Sequence, residues 1–362
     1  YFKNRDGYSF EMSWDEFWEL RCIQRSKTAT VDRDAELYSI KCTIHDRILK
    51  VNLRQLNNML NGSWHQCPQC SHIGSSLQER EVSDFIKSIY SGEILENTKR
   101  IITPLELDIY IPEKKVAIEY HGLFWHSLRP ENNISKDYHL QKYLKCKEKG
   151  IHLIQIFEDE WRDKSEIVKS IIKNKLGITD TKLMARKLKG VDNLHKDTVM
   201  QFLNKNHISG SGGKNYQKMF GLMDDENNLV TILTLRKPFT KNKSGVIEIA
   251  RFCSVLNTQV LGGFSKLLKR AKEWAKENNY HAILTYADLR FGDGNTYIKS
   301  GFTLEERTKP NYFYVNGIIR EGRFIHRAQA GLSEKDRASQ IGIYQIYDCG
   351  SNRFSLDIIS NL

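Results

Sequence analysis

Apolar positions recur along this chain with two periods, and the alternation between them predicts a mixed α/β protein. Val82, Phe85, Ile86 and Ile89 fall three and four residues apart, as one face of a helix does. Leu107-Asp108-Ile109-Tyr110-Ile111 and Val116-Ala117-Ile118-Glu119-Tyr120 read as two strands joined by a turn over Pro112 to Lys115. Tyr138 to Lys149 reads as a helix, Ile151 to Phe157 as a strand, and Glu166 to Ile172 returns to helical spacing. The order helix, strand, strand, helix, strand, helix describes a core of about 100 residues, long enough to fold alone. Downstream, Phe220 to Met223 and Leu229 to Leu235 read as antiparallel strands joined by Asp224-Asp225-Glu226-Asn227-Asn228, and Ile247 to Cys253 as a further strand. Leu261-Gly262-Gly263-Phe264 then enters a helix, followed by a strand over Ala282 to Asp288.

Small polar runs mark the boundaries. Ser71 to Ser76 and Gly177 to Asp180 are of the kind that connects elements, and Gly317 to Gly322 is a softer break. They divide the chain into an N-terminal segment 1–76, an α/β core 77–179, a second α/β domain 180–325 and an extension 326–362. No internal repeat is visible.

Composition narrows the functional classes. The chain has 362 residues, 40% hydrophobic and 27% charged, so disorder, collagen-like repeats and membrane residence are disfavoured. Its first thirty residues carry Lys3, Arg5, Asp6, Asp15 and Glu16 where a signal peptide needs an apolar run, so secretion is not expected and a cytoplasmic location is. Tyr1 in place of an initiating Met reads as a processed chain or a piece of a longer one. The seven cysteines are odd in number and scattered, which suits a reducing compartment. Lys and Arg number 55 against 44 Asp and Glu, a net charge of +11 that favours a polyanionic partner through counterion release. Charge alone does not separate DNA from RNA or from an anionic membrane, and a guide nucleic acid or a protein partner is left open.

Cys42-Thr43-Ile44-His45 and Cys67-Pro68-Gln69-Cys70 each space two ligand types by two residues, the pattern of a tetrahedral Cys3His zinc site. Cys42, His45, Cys67 and Cys70 are therefore candidate ligands of a structural Zn2+ in a small zinc ribbon. Four protein ligands leave no open position for catalysis. The competing reading has Cys42 in a core, His45 on a surface and Cys67-Cys70 as a chance pair.

Asp108 and Glu119 sit in strands that otherwise want burial. Buried carboxylates need a partner, and Mg2+ is an economical one; the alternative is an ordinary sheet with both acids facing water. Three segments shift the balance: Leu107 to Pro112, Ile118-Glu119-Tyr120-His121-Gly122-Leu123-Phe124-Trp125-His126, and Gly150 to Glu158. Over roughly residues 77–176 the chain resembles the very-short-patch repair endonucleases and related phage homing endonucleases of the PD-(D/E)XK superfamily. The resemblance implies a nuclease core with a mixed sheet flanked by helices. It matches Glu79 to a helical Glu, Asp108 to the central metal-binding Asp and His126 to the active-site His. Aligned without gaps, Tyr120 falls on the second metal-proximal position and His139 where those enzymes carry an acid. Glu119 is preferred, because Asp108 followed by Glu119-Tyr120-His121 fits D…E-x-K with His121 in place of Lys, and a one-residue bulge would reconcile the registers. On this reading Asp108 and Glu119 hold Mg2+, His126 or His139 moves a proton, and Lys142 or His121 stabilises charge on the phosphate. Trp125 is either core or a contact to DNA bases. His152 reads as an ordinary satisfied histidine.

The domain over 180–325 resembles the GNAT N-acetyltransferase fold, including a tyrosine-to-Gly-Phe segment at Asn295 to Phe302. In that family a Q/R-x-x-G-x-G/A loop binds the cofactor pyrophosphate at a helix N-terminus. Here it would be Gln259-Val260-Leu261-Gly262-Gly263-Phe264. Phe264 stands where Gly or Ala belongs and would crowd the phosphate, so acetyl-CoA is not an expected cofactor. DNA contact by Lys182, Arg186, Lys187, Lys189, Lys237, Lys241 and Lys243 is expected instead. Together these readings describe a modular α/β and α+β protein: zinc ribbon, PD-(D/E)XK core and GNAT-like domain, acting as a Mg2+-dependent DNA endonuclease that hydrolyses phosphodiesters. The alternatives are a DNA-directed acyltransferase and a non-catalytic DNA-binding protein.

Overall fold

The structure, a computed structural model, describes residues 2–3, 9–11, 37–42, 47–52, 55, 77–213, 215–239, 244–326 and 333–359. It forms two compact units, Tyr1–Glu81 and Val82–Leu362. In the first, β1 (Phe2–Lys3), β2 (Ser9–Glu11), β3 (Leu37–Cys42) and β4 (Arg47–Asn52) form an antiparallel sheet in chain order. Ile40 and Leu49 are cross-strand partners and both are buried, as is Val51. Cys42 closes β3; its side chain, with His45, Cys67 and Cys70, lies outside the described residues, as do Lys241 and Lys243. Helix α1 (Leu77–Ile89) begins in this unit, with Glu79 in its first turn.

The second unit opens with β5 (Leu95–Ile102), β6 (Leu105–Ile111) and β7 (Val116–His121), antiparallel to one another, and β8 (His152–Phe157), which runs parallel to β7. Parallel neighbours need a crossover. It is made by α2 (Leu123–His126) and α3 (Tyr138–Glu148), and α4 (Glu158–Leu176) follows β8 directly. One sheet face carries Ile109, Ile111, Val116, Ile118, Tyr120, Ile154 and Ile156 into a core with Val82 and Ile86 of α1 and Trp161, Ile167, Val168 and Ile172 of α4. The other meets Leu140, Tyr143 and Cys146 of α3. With both faces covered, β7 is buried along its whole length.

Past α4 come β9 (Thr181–Met184), β10 (Lys189–Val191), α5 (Lys196–Asn206), β11 (Lys218–Met223), β12 (Leu229–Arg236), β13 (Val246–Ser254), β14 (Thr258–Leu261), α6 (Gly263–Glu277), β15 (Ala282–Asp288) and α7 (Asn295–Lys299). The chain ends through β16 (Thr303–Arg307), β17 (Tyr312–Asn316), β18 (Ile319–Glu321), α8 (Glu334–Gln340), β19 (Tyr344–Tyr347) and β20 (Ser351–Asp357). A seven-stranded sheet runs β10-β11-β12-β13-β15-β20-β16. All its pairs are antiparallel except β13 with β15, which pair only over Val246–Glu248 and Ala282–Leu284. α6 covers the sheet with Phe264, Leu267, Leu268, Ala271 and Ala275, apolar positions on one helical face.

Residues 82–362 form one compact unit, which spans the breaks read from the sequence near 179 and 325. Its strand β20 lies between β15 and β16 and pairs antiparallel with both. The segment between β16 and β20 folds into a small sheet, β18-β17-β19, whose Val315 and Ile346 pack with Leu123 and Phe157 of the first core.

One buried ion cluster joins the two halves of this unit. Glu160, in the first turn of α4, accepts from the Arg290 guanidinium at 2.8 and 2.9 Å and from Arg320 Nη2 at 2.8 Å, while Arg290 also donates to Asp288 and Arg320 to Asp159. Its Oε2 also accepts the Phe157 backbone N–H, a cap on the helix start. Burial by itself raises the Glu160 pKa, yet the two arginines overcome that and hold it at about 2. The linkage stabilises the fold above the ordinary carboxylate range, by on the order of 3 kcal/mol, and is lost as pH falls toward 2. Glu160→Gln strands two buried guanidiniums. Urea unfolding at pH 7 is expected to show a loss of about 3–5 kcal/mol, and a smaller gap from wild type at pH 3; an equal gap at both pH values would exclude the ionised carboxylate as the source.

Candidate functional site

Period-two alternation decides which side chains of the first core can meet. Val116, Ile118 and Tyr120 take one face of β7, which leaves Ala117, Glu119 and His121 on the face toward α3. Asp108 of β6 and Gln155 of β8 reach the same face. On α3, His139 and Lys142 are three residues apart and look down together onto these strands. The sheet and one helix thus gather six polar groups in an apolar surround.

Asp108 and Glu119 do converge. Asp108 Oδ2 accepts the Tyr120 N–H at 2.8 Å, and Glu119 Oε1 accepts the Asp108 N–H at 3.1 Å. The Lys142 ammonium donates to Glu119 Oε2, both residues being 3% exposed or less. Burial raises both acids' pKa values, and the neighbouring Asp108 carboxyl raises Glu119's further; for Lys142 burial pulls the other way, but Glu119 and Asp108 outweigh it and keep the ammonium charged. Two carboxyls therefore share one cation that the protein itself supplies. The reading with both acids facing water fails, since Glu119 is 1% exposed. So does the bulge, because β7 pairs with β8 without a register shift from Val116 to His121. The cation that meets Glu119 is Lys142 of α3, while His121 turns to Gln155.

The histidines form the second half of the cluster. His121 Nε2 lies 2.8 Å from Gln155 Oε1, and His121 Nδ1 is buried without a hydrogen-bond partner. His139 Nδ1 donates to the Tyr347 carbonyl at 2.6 Å, and His139 Nε2 lies 3.0 Å from His126 Nδ1. The Gln155 amide in turn donates to the His139 carbonyl and to Cys349 Sγ. Burial, then neighbouring positive charge, holds the His121 and His126 pKa values well below the ordinary one; burial brings His139 to about 3. All three rings are neutral at physiological pH.

The remaining expected residues are dispersed. Trp125 is 69% exposed, so it is not core packing. Lys182, Arg186, Lys187, Lys189 and Lys237 are exposed. His152 is satisfied by the Phe291 carbonyl at 3.0 Å, as an ordinary histidine would be. Gln155 went unnoticed in the sequence, although a polar residue between Ile154 and Ile156 was a visible signal. Tyr347, Cys349 and Arg290 carried none, because they reach the cluster from a distant part of the chain.

A second site lies at the start of α6. β14 pairs in parallel with β9, Gln259 opposite Lys182 and Leu261 opposite Met184, so the basic segment flanks the Gly262-Gly263 turn. Gly262 has φ +76°, a left-handed conformation suited to glycine, and a Cβ on Gly263 would stand 3.0 Å from Val260 Cγ1. Lys266 Nζ donates to the carbonyls of Ala185 and Leu188 and fixes the segment against the helix. The Lys266 N–H to Gly262 carbonyl bond begins the helical ladder, so the N–H groups of Gly263, Phe264 and Ser265 precede it. The Phe264 ring turns inward, 5% exposed, against Phe252, Tyr297 and Phe302. It therefore does not crowd the turn as the sequence suggested. Along the outer face of α6, Ser265, Lys269, Lys272, Glu273 and Lys276 line an open groove of about 320 Å³ with Ser300 at its side.

The sequence matches no protein-family profile and no curated protein. Among solved structures it is similar to a Bacillus subtilis acetyltransferase in complex with CoA, at 16% identity over 47% of this chain and 99% of that one, with a TM-score of 0.30. A GNAT family acetyltransferase from Elizabethkingia anophelis with acetyl-CoA bound is 11% identical over 47% and 98%, TM-score 0.29. A spermidine/spermine N-acetyltransferase from Vibrio cholerae is 14% identical over 48% and 94%, TM-score 0.28. These findings accord with a GNAT-like domain and offer no counterpart for the repair-type nuclease core or the zinc ribbon. The expectation of a Mg2+-dependent DNA endonuclease is not supported by these comparisons, whose similar structures are acetyltransferases rather than hydrolases. The ground on which acetyl-CoA was excluded is withdrawn, because the Phe264 ring packs inward and does not crowd the Gly262-Gly263 turn. Among the described residues no helix is long and apolar enough to cross a membrane.

The acid pair and its lysine are expected to behave as one unit. Lys142→Met leaves a buried carboxylate without a cation and should cost about 3–5 kcal/mol in urea unfolding. Adding Glu119→Gln should recover much of that loss; strict additivity in the double mutant would show that the pair is not coupled.

Proposed function

We propose that the C-terminal sheet domain is an acyl-CoA-dependent N-acyltransferase. The observation that carries this reading is the Gly262-Gly263 turn: it aims the free N–H groups of α6, a helix of 15 residues, at the space beside the basic segment Lys182 to Lys189. That is an anion site by hydrogen bonding and by the helix dipole. The groove along α6 continues it with Lys269, Lys272 and Lys276 against a single acid, Glu273, a net positive lining suited to a cofactor with a pyrophosphate and an additional phosphate. β13 and β15 pair only at their beginnings, which leaves their later halves unpaired with each other beside the turn.

In the proposed reaction an amine nitrogen attacks the thioester carbonyl, the C–N bond forms, the C–S bond breaks and the thiolate takes up a proton. Tyr297 is assigned as the donor. Burial raises its pKa, a hydrogen bond with Thr285 opposes this in part, and the phenol stays protonated at neutral pH. It lies in α7 beside Phe264, with ring centroids 5.4 Å apart. DNA is retained as the proposed partner on the net charge of +11 and the exposed Lys189 and Lys237.

Calorimetric titration with CoA is expected to give one site per chain, weakened about tenfold or more in Lys269→Glu/Lys272→Glu and in Gly262→Val; no heat and no thermal shift with CoA would remove the assignment. Tyr297→Phe should keep CoA affinity and lower thiol release from acetyl-CoA with an amine acceptor by about 10²-fold or more. Filter retention of duplex DNA should fall steeply between about 50 and 200 mM salt, and salt-independent retention would contradict contact through phosphates.

A further inference from the structure

His121, His126 and His139 offer a nitrogen each, and the three atoms lie within 4.8 Å of one another. We propose that these imidazoles form a binding site for a divalent transition cation of the Zn2+, Co2+ or Ni2+ class, on the face of the first core that the β17–β19 sheet overhangs. Three arguments support it, none of them drawn from the acyltransferase reading.

The first is the orphaned nitrogen. His121 is fully buried, its Nε2 is engaged by Gln155, and Nδ1 has no hydrogen-bond partner. Gln155 is itself oriented, because its amide nitrogen donates to the His139 carbonyl and to Cys349 Sγ, so its Oε1 can only accept. His121 therefore carries its proton on Nε2 and keeps an unmet lone pair on buried Nδ1. Leaving such a group unmet costs on the order of 1–3 kcal/mol. The second is orientation from outside. His139 donates Nδ1–H to the Tyr347 carbonyl at 2.6 Å, so its Nε2 lone pair faces inward. A ligating imidazole that gives its other N–H to a carbonyl or amide oxygen is the arrangement that sets tautomer and ring plane at metal sites. Here it occurs twice, with two different acceptors.

The third is reach. Ring centroids are 4.4 Å apart for His121 and His126, 4.2 Å for His121 and His139, and 5.2 Å for His126 and His139. Ligand atoms on a tetrahedral ion at about 2.0–2.1 Å are about 3.3 Å apart, so side-chain rotations of about an ångström close the set. His126 is the half-buried member and supplies the entry. In the cation-free arrangement it donates Nδ1–H to His139; ligation needs only transfer of that proton to its Nε2 side, with no net release. Lys142 stands nearby, but Glu119 neutralises it. Three nitrogen donors favour borderline cations over Mg2+, and three ligands leave a fourth position for water. An ion there would tie β7, α2 and α3 to the segment holding Tyr347.

Co2+ titration of the full chain tests this. The expected result is a visible d–d absorption that saturates, with one bound equivalent lost in His126→Gln while far-ultraviolet circular dichroism is unchanged. The wild-type-minus-variant spectrum should lack a thiolate-to-metal charge-transfer band, which separates this site from any cysteine-ligated ion elsewhere in the chain, and excess Mg2+ should not displace the ion. Equal Co2+ stoichiometry in the two proteins, or a thiolate band in the difference, would overturn the proposal. Should His126→Gln fail to fold, proton NMR of Co2+-loaded wild type decides: hyperfine-shifted exchangeable resonances from the two buried imidazole N–H groups are required, and their absence ends the proposal.

Discussion

A buried carboxylate with two arginines organises the larger unit. Glu160 takes Arg290 from the end of the β15 strand and Arg320 from β18, while its second role caps the helix that follows β8. A charge this deep is tolerable only when fully paired, so the two arginines and the acid must arrive together or not at all. That requirement links segments 130 and 160 residues apart in sequence and makes a single body of what the sequence presents as two domains.

The same junction shapes the polar cluster. The β17–β19 sheet is inserted between two strands of the C-terminal sheet, yet it packs on Leu123 and Phe157 and gives the Tyr347 carbonyl to His139. Cys349, just beyond it, accepts from Gln155. The histidines are thus oriented by residues of the other half, and their neutrality follows from the burial that half imposes. The acids differ in that their partner, Lys142, comes from within the first core.

Much of this was legible in local pattern. Alternation along Val116 to His121 already separates Glu119 and His121 from the apolar face, and helical spacing places His139 with Lys142. Both follow from side-chain periods that need no tertiary knowledge. β5 was not legible. Its Glu96-Asn97-Thr98-Lys99-Arg100 run shows neither period, because β5 pairs on one side only and its outer residues stay wet. β20 was hidden for another reason: Ser351 to Asp357 alternates well enough, but nothing local says that it inserts between β15 and β16.

The amino-acid order by itself determined the two α/β patterns, the strand faces, the glycine turn into α6 and the net positive charge, all properties of near neighbours or of sums over the chain. Tertiary structure alone decided which cation meets Glu119, where the Phe264 ring points, which backbone carbonyl orients His139 and how the last strand completes the sheet. Those outcomes depend on contacts between residues far apart in sequence, whose energies are comparable to the cost of leaving a buried charge or lone pair unmet, and no window of sequence contains both partners.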